Sequence, residues 1–319
     1  MPSGEFLARR FNMVFSVVLH QMGVFFLIVI VGMAASRLGV VKRDYLKELA
    51  SLVSKVFLPA LIFYMTYHGT TRQQVLDNVP MIALAAGFYV VVSAIMKALA
   101  LLLKPKGDRQ KVFRFAFIFG NTGFVGIPLL AALYPESGLL YMALFSIVDQ
   151  LLFWTYGVYL ATASDRRARF GLRQLASPNI VAIVLALVFV LAGVQLPGLV
   201  MDVLDTVSGA TTALCMVYLG CLFYYSNWGV ALKAREVYAG IAVKMVLLPV
   251  VLGRLLFLTG LPEDMVVSMI VIMALPTMTV VPMVAAAHGN EGEYAAGVTV
   301  VTLASCIVTL PFVVLLATG

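Results

Sequence analysis

Apolar stretches of about twenty residues, the length needed to cross a bilayer core, follow one another along the whole chain. Short polar connections between them collect most of the charge. The pattern predicts ten membrane spans, over residues 13–35, 49–67, 79–103, 113–133, 139–163, 178–196, 201–224, 236–258, 265–287 and 294–317. The longest aqueous connection, residues 164–177, carries the basic run DRRARFGLRQ. Arg9 and Arg10 ahead of the first apolar stretch resemble the start of a signal peptide. That stretch is longer than a secretory h-region, and its counterpart recurs in the second half where no cleavage could occur, so it is read as the first span.

Composition agrees with this pattern. Of 319 residues, 62% are apolar and only 12% charged, and the mean hydropathy is +1.02. A soluble domain runs nearer half apolar and a quarter charged, so water is not the main solvent of this chain. The net charge of +7 raises a nucleic-acid reading, but the aqueous loops are too short to hold a binding domain. The positive-inside bias accounts for the charge instead. With the N-terminus outside, cytoplasmic loops hold fifteen basic residues: Arg37, Lys42, Arg43 and Lys47; Lys104, Lys106, Arg109, Lys111 and Arg114; Arg166, Arg167, Arg169 and Arg173; Lys233 and Arg235. Only Arg9, Arg10 and Arg72 then lie outside. Both termini are therefore predicted to face away from the cytoplasm, in a multi-pass protein of the cell (inner) membrane. Cys215, Cys221 and Cys306 all lie within apolar spans, with neither metal-ligand spacing nor a paired framework.

Shifting the sequence by 154 positions aligns Leu38-Gly39-Val40 with Ala192-Gly193-Val194, Val53-Ser54 with Val207-Ser208, Pro128 with Pro282, and Ala131-Ala132 with Ala285-Ala286. The predicted organisation is a first five-span repeat over 1–163, a cytoplasmic linker over 164–177 and a second repeat over 178–319. Five is odd, so the second copy must be inverted relative to the first. The fold class expected is an all-α membrane protein of ten transmembrane helices in two inverted five-helix repeats, an arrangement typical of secondary transporters.

Candidate chemistry sits at matching places in the two halves. The fourth span reads FGNTGFVGIPLL (Phe119 to Leu130) and the ninth reads ALPTMTVVPMVAAAHG (Ala274 to Gly289). Pro128, Pro276 and Pro282 have no N–H to donate, which frees the carbonyls of Phe124, Ile272 and Met278. Such carbonyls survive at membrane depth only where protein, water or ligand satisfies them. The alternative is a pair of tolerated kinks with glycines serving helix packing. A broken helix aims the N-terminal dipole of its second half into the membrane midplane, favouring an anion. Asn121 offers a donor and an acceptor there, Gly123 lets a ligand approach the backbone, and Thr122, Thr277 and Thr279 offer hydroxyls whose competing role is back-bonding within the helix.

Among buried charges, Asp149 falls well inside the fifth span, where it reads either as a proton or cation site or as the partner of an intramembrane lysine. Lys55, Lys97 and Lys244 are expected to snorkel to the cytoplasmic side, with Lys55 and Lys244 alternatively drawing an anion inward, and Arg254 to snorkel outward. His20, His68 and His288 lack ligand spacing, so no metal site is expected.

The motifs GNTGFVGIPLL, FLPALIFY (Phe57 to Tyr64), DQLLFWTYG (Asp149 to Gly157) and ALPTMTVVPMVAAAHG resemble those of the auxin efflux carrier family over essentially all ten spans. That family includes bacterial organic-anion permeases, such as malonate and malate carriers, and the plant auxin exporters. The resemblance implies a fold similar to bile-acid and sodium/proton carriers, with crossed breaks in the fourth and ninth spans, elevator movement against a scaffold, and a homodimer. It also implies that Asn121, Pro128, Pro276 and Pro282 form the crossing and that Gln150 and Trp154 match the family's fifth-span pattern, with Gln150 a candidate for substrate binding. This chain departs from many bacterial members at Val280, where they carry asparagine, and its short central loop points to a microbial carrier.

The function expected is therefore a permease for a small organic anion, with no cofactor, coupled to protons or sodium. Its partners would be that anion, the lipid bilayer and a second copy, without nucleic acid. A channel or sensor of the same fold is the alternative. An intramembrane enzyme would need a nucleophile–base pair or metal cluster in facing spans, and no such signature is found.

Overall fold

The computed structural model describes residues 4–68, 71–134, 137–165, 178–225 and 229–318. All but the first two residues of the predicted 164–177 linker lie outside the described residues. Within them the chain is helical, as the apolar environment demands: a helix satisfies its backbone groups internally where no water can.

Twelve helices carry the fold: α1 (Gly4–Arg37), α2 (Arg43–His68), α3 (Val79–Leu103), α4 (Arg109–Ile118), α5 (Ile127–Leu133), α6 (Ser137–Ala161), α7 (Pro178–Ala192), α8 (Gly198–Tyr225), α9 (Arg235–Phe257), α10 (Glu263–Ala274), α11 (Val281–Ala287) and α12 (Gly292–Thr318). Short turns at Arg72–Asp77 and Gly229–Leu232 connect them. Among the described residues, six helices are long and apolar enough to cross a membrane, namely α2, α3, α6, α8, α9 and α12, the last counted over Gly292–Ala317. The predicted fourth and ninth spans are each divided, into α4 and α5 and into α10 and α11. The sixth is shorter than predicted: α7 stops at Ala192 because Gly193 turns left-handed at φ 68°, and Pro197 follows in the loop.

Proline shapes these helices differently from the expectation of simple breaks. Val53–Phe57, Thr122–Gly126 and Ile241–Leu247 are wide π-type turns, and each runs into a helix whose second residue is proline: Pro59, Pro128 and Pro249. A proline cannot supply the N–H that the regular ladder needs, and the widened turn absorbs the missing bond without ending the helix. Pro128 therefore starts α5 rather than breaking the span. The break itself lies upstream, at Phe119, whose backbone is extended (φ −102°, ψ 116°).

Most of the packing falls into two groups, which the contact of α1 with α12 joins. In one, α1 lies along α8, and α2 lies against α7 and α8. The α1–α8 approach is backbone on backbone: a Cβ on Gly32 would come within 2.2 Å of the Val217 carbonyl oxygen, and one on Gly220 within 2.1 Å of that of Val29. Small residues let membrane helices touch this closely. In the other set, α3, α4, α6, α9, α10 and α12 surround the two breaks. Helix α10 is buried from Met265 to Ala274, which makes it the centre of the molecule.

Candidate functional site

The two breaks meet. Gly120 pairs with Thr277 in an isolated antiparallel bridge. The Asn121 N–H donates to the Pro276 carbonyl at 2.7 Å, and the Met278 N–H donates to that of Phe119 at 3.1 Å. The Thr277 N–H donates to Thr302 Oγ1 of α12 at 3.2 Å, and the Leu275 carbonyl accepts from Lys244 Nζ of α9. Backbone groups released from one helix are thus taken up by the other break and by two side chains from neighbouring helices, which is the condition for irregular backbone in a bilayer. Space at the crossing point is tight for any side chain. A Cβ on Gly120 would stand 3.1 Å from Leu275 Cβ and 3.5 Å from Lys244 Nζ.

Beside the crossing lies a pocket of about 70 Å³, room for several water molecules. One wall is α2, through Leu58, Leu61, Ile62, Met65 and Thr66. The opposite wall is the pair of breaks, through Asn121, Thr122 and Gly123 and through Met278, Thr279 and Val280. Helix α6 closes it with Ser146, Gln150, Phe153 and Trp154. Two helical segments begin at this pocket: the wide turn Thr122–Gly126 that continues into α5, and α11. Asn121 and Thr279 are each 1% exposed, and no charged side chain lines the pocket. The Thr277 and Thr279 hydroxyls have no hydrogen-bond partner among the described residues. The back-bonding expected as their competing role is not made.

A polar chain leads from the pocket into the protein. Trp154 Nε1 donates to Gln150 Oε1 at 3.1 Å, and Gln150 Nε2 donates to Asp149 Oδ2 at 3.2 Å. The Tyr89 hydroxyl of α3 donates to Asp149 Oδ1. Asp149 itself is fully buried and does not line the pocket. A second pocket, of about 280 Å³, shares Met65 and Ser146 with the first and extends past Tyr64 and His68 to the C-terminal end of α2.

Of the residues singled out in the sequence, Asn121, Thr122, Gly123, Gln150, Trp154 and Thr279 are brought together on one pocket. Pro276 and Thr277 lie in the bridge behind it, and Pro128 and Pro282 sit in the first turns of α5 and α11 without lining it. Lys55 and Lys97 are exposed. Lys244 does not snorkel: it is 2% exposed and bonded at the crossing, because its wide turn directs it inward rather than along the helix toward water. The α2 wall, Ser146 and Tyr89 were not singled out as site residues. Ser146, Gln150 and Trp154 recur every four residues, one helical face, and that polar-to-aromatic stripe was a usable signal. The α2 residues are apolar, like any lipid-facing stretch, and carried none.

Comparison with known proteins agrees with these features. Residues 17–170 and 168–314 match the profile of a family described as "Membrane transport protein". An uncharacterised transporter of Methanocaldococcus jannaschii is 24% identical over 204 residues, covering 61% of this chain and 65% of that protein. One of Methanothermobacter thermautotrophicus is 26% identical over 198 residues, 60% and 64% respectively. One of Schizosaccharomyces pombe is 27% identical over 149 residues, 40% and 32%. The match thus spans just under two thirds of the length of the archaeal relatives.

Proposed function

The chain belongs to this membrane transport protein family, that of the auxin efflux carriers, and from that premise we propose that it is a secondary active transporter which moves a small organic anion by elevator-type alternating access. One observation carries the proposal. The pocket lies where α2, packed with α7 and α8, meets the crossed breaks of the other helix set. A site on the boundary between two packed bodies reaches either side of the membrane when one body slides against the other. The anion would be held without a fixed counter-charge, by the N-terminal ends of the two segments that begin at the pocket and by the Asn121 amide and Thr279 hydroxyl. The second pocket toward Tyr64 and His68 would be its route from outside.

The ten-span inverted-repeat layout, with units 1–163 and 178–319, belongs to the same reading, as does a homodimer in the cell membrane. Its support is the matched pair of breaks and the grouping of α1 and α2 with α7 and α8, each the first two predicted spans of its half. Orientation is tested by labelling. In a background lacking Cys215, Cys221 and Cys306, single cysteines at Ser137 and Thr259 are expected to react with an impermeant thiol reagent added outside, and one at Ser164 is not. Reversed labelling sinks both the topology and the inversion.

Function is tested by thermal unfolding of the purified protein with a series of mono- and dicarboxylates. A ligand at 100 times its Kd adds about 2.7 kcal/mol of stability, which raises Tm by several degrees. The ligand found is then loaded into proteoliposomes, where a carrier shows saturable uptake accelerated by counterflow. A linear, counterflow-insensitive flux would identify a channel.

A further inference from the structure

A groove of about 450 Å³ lies between α3 and α6 and shares no lining residue with the two pockets described above. Ala86, Val90 and Ser93 line it from α3, and Val148, Leu152 and Tyr156 from α6. Ala86 and Val90 are exposed, so the groove opens outward, and at the depth of a spanning helix that means into lipid. Left empty, such a groove forfeits dispersion contacts along its whole lining, which an acyl chain restores.

Acyl filling alone would not distinguish one lipid from another. The charge at one end does. Lys97 is exposed and follows Ser93 by one helical turn on the same face of α3. Arg114 of α4 donates to the Tyr156 hydroxyl, and its guanidinium carbon stands 5.9 Å from the centre of that ring. Lys111, one turn earlier on α4, has its amine 5.9 Å from the Tyr159 ring centre and donates to the Thr162 carbonyl at 3.2 Å. Tyr156 and Tyr159 stack with their centres 6.3 Å apart. Among the described residues none of these three cations forms a salt bridge. Asp108, the acid within electrostatic reach of Lys111, already accepts from the Ser164 N–H at 2.9 Å. In the topology proposed above, this end of the groove lies at the cytoplasmic leaflet. Basic pockets between spanning helices on that side bind anionic headgroups.

We propose that the groove is a binding site for an anionic glycerophospholipid, with one acyl chain between α3 and α6 and the phosphate held by Lys97 and Arg114. Lys111 adds charge beside them. The occupant is a lipid rather than a soluble anion, because the apolar groove leads from the charges directly into the bilayer. The site needs only that the chain spans a membrane, so it stands or falls apart from the carrier reading.

The test is thermal unfolding of the full chain in phosphatidylcholine nanodiscs, with phosphatidylglycerol of the same acyl chains titrated in. Wild type is expected to gain about 2–4 °C of Tm as phosphatidylglycerol rises, and nothing from glycerol 3-phosphate in the buffer. Lys97→Gln is expected to move the titration midpoint about fivefold toward more phosphatidylglycerol, and Arg114→Gln at least as far, since it removes a phosphate-matching fork. Ala86→Phe fills the groove without changing charge and is expected to weaken the lipid as well. Lys47→Gln makes the same charge change on α2 and is expected to leave the midpoint in place. Equal stabilisation by the two lipids, an equal gain from glycerol 3-phosphate, or equal shifts for Lys47→Gln and Lys97→Gln would each overturn the site. If Arg114→Gln does not fold, Lys97→Gln and Ala86→Phe decide, both at exposed positions. A purified dimer that Ala86→Phe dissociates would make the groove an interface between copies, and the proposal would fall.

Discussion

Asn121→Ala is expected to weaken substrate binding by roughly 10–100-fold, the cost of leaving buried polar groups of the ligand unpaired, while the protein still folds. The separation of the two effects follows from which atoms of Asn121 do what. Its backbone builds the crossing: the N–H donates to the Pro276 carbonyl, and its own carbonyl accepts from the Val125 and Gly126 N–H groups at 3.3 and 3.1 Å. Alanine retains all of those bonds. Asn121 also lines the pocket. Ligand-induced Tm shifts and transport should therefore collapse together, while yield, monodispersity and ligand-free Tm stay near wild type. A loss of folded protein in parallel with activity would show instead that the amide serves the structure.

Asp149→Asn is expected to abolish gradient-driven uptake while preserving substrate binding better than Asn121→Ala does. Asp149 is behind the pocket, not in it, and is joined to it through Gln150 and Trp154. Asparagine keeps the size, and its carbonyl oxygen can still accept from the Tyr89 hydroxyl or the Gln150 amide, but it cannot exchange charge. Losing the carboxylate also removes an acid that interacts electrostatically with Lys244. Tm must therefore be measured beside transport. The decisive comparison is uptake into proteoliposomes under imposed proton and sodium gradients, wild type beside mutant. A mutant that keeps the wild-type gradient dependence would make Asp149 structural and move the search for coupling to the carbonyls around the breaks.

Much of this molecule was legible in the chain, for a physical reason. A bilayer admits few backbone solutions, so apolar length alone located the six helices that, among the described residues, are long enough to cross it, and the bounds of α3 were read to the residue. The matched FGNTGFVGIP and ALPTMTVVP segments announced two interruptions because glycine and proline change what the backbone can bond, wherever they stand. Asn121 and Thr279 were legible as polar residues in apolar surroundings that need a partner, and Gln150 through the family resemblance. The prolines were misread in detail. The sequence shows which N–H is missing, but not whether the helix breaks or widens to absorb the loss, and at Pro128 it widened.

What the tertiary structure alone decided is where things meet. Phe119 and Met278 are far apart in sequence, and their hydrogen bond exists only because two helix ends converge. The α2 wall of the pocket is apolar throughout, so nothing distinguished its site-facing residues from lipid-facing ones until helix packing turned them inward. Lys244 looked like a snorkelling lysine because its distance along the helix from the cytoplasmic end permits that. It points inward from a widened turn, and its partner is a carbonyl just past the end of α10, contributed from elsewhere in the chain. Span and interruption are properties of a segment and its solvent. Convergence of helix ends, pairing of breaks and the partner of a buried charge are properties of how segments are arranged, and those the meeting of the two breaks supplied.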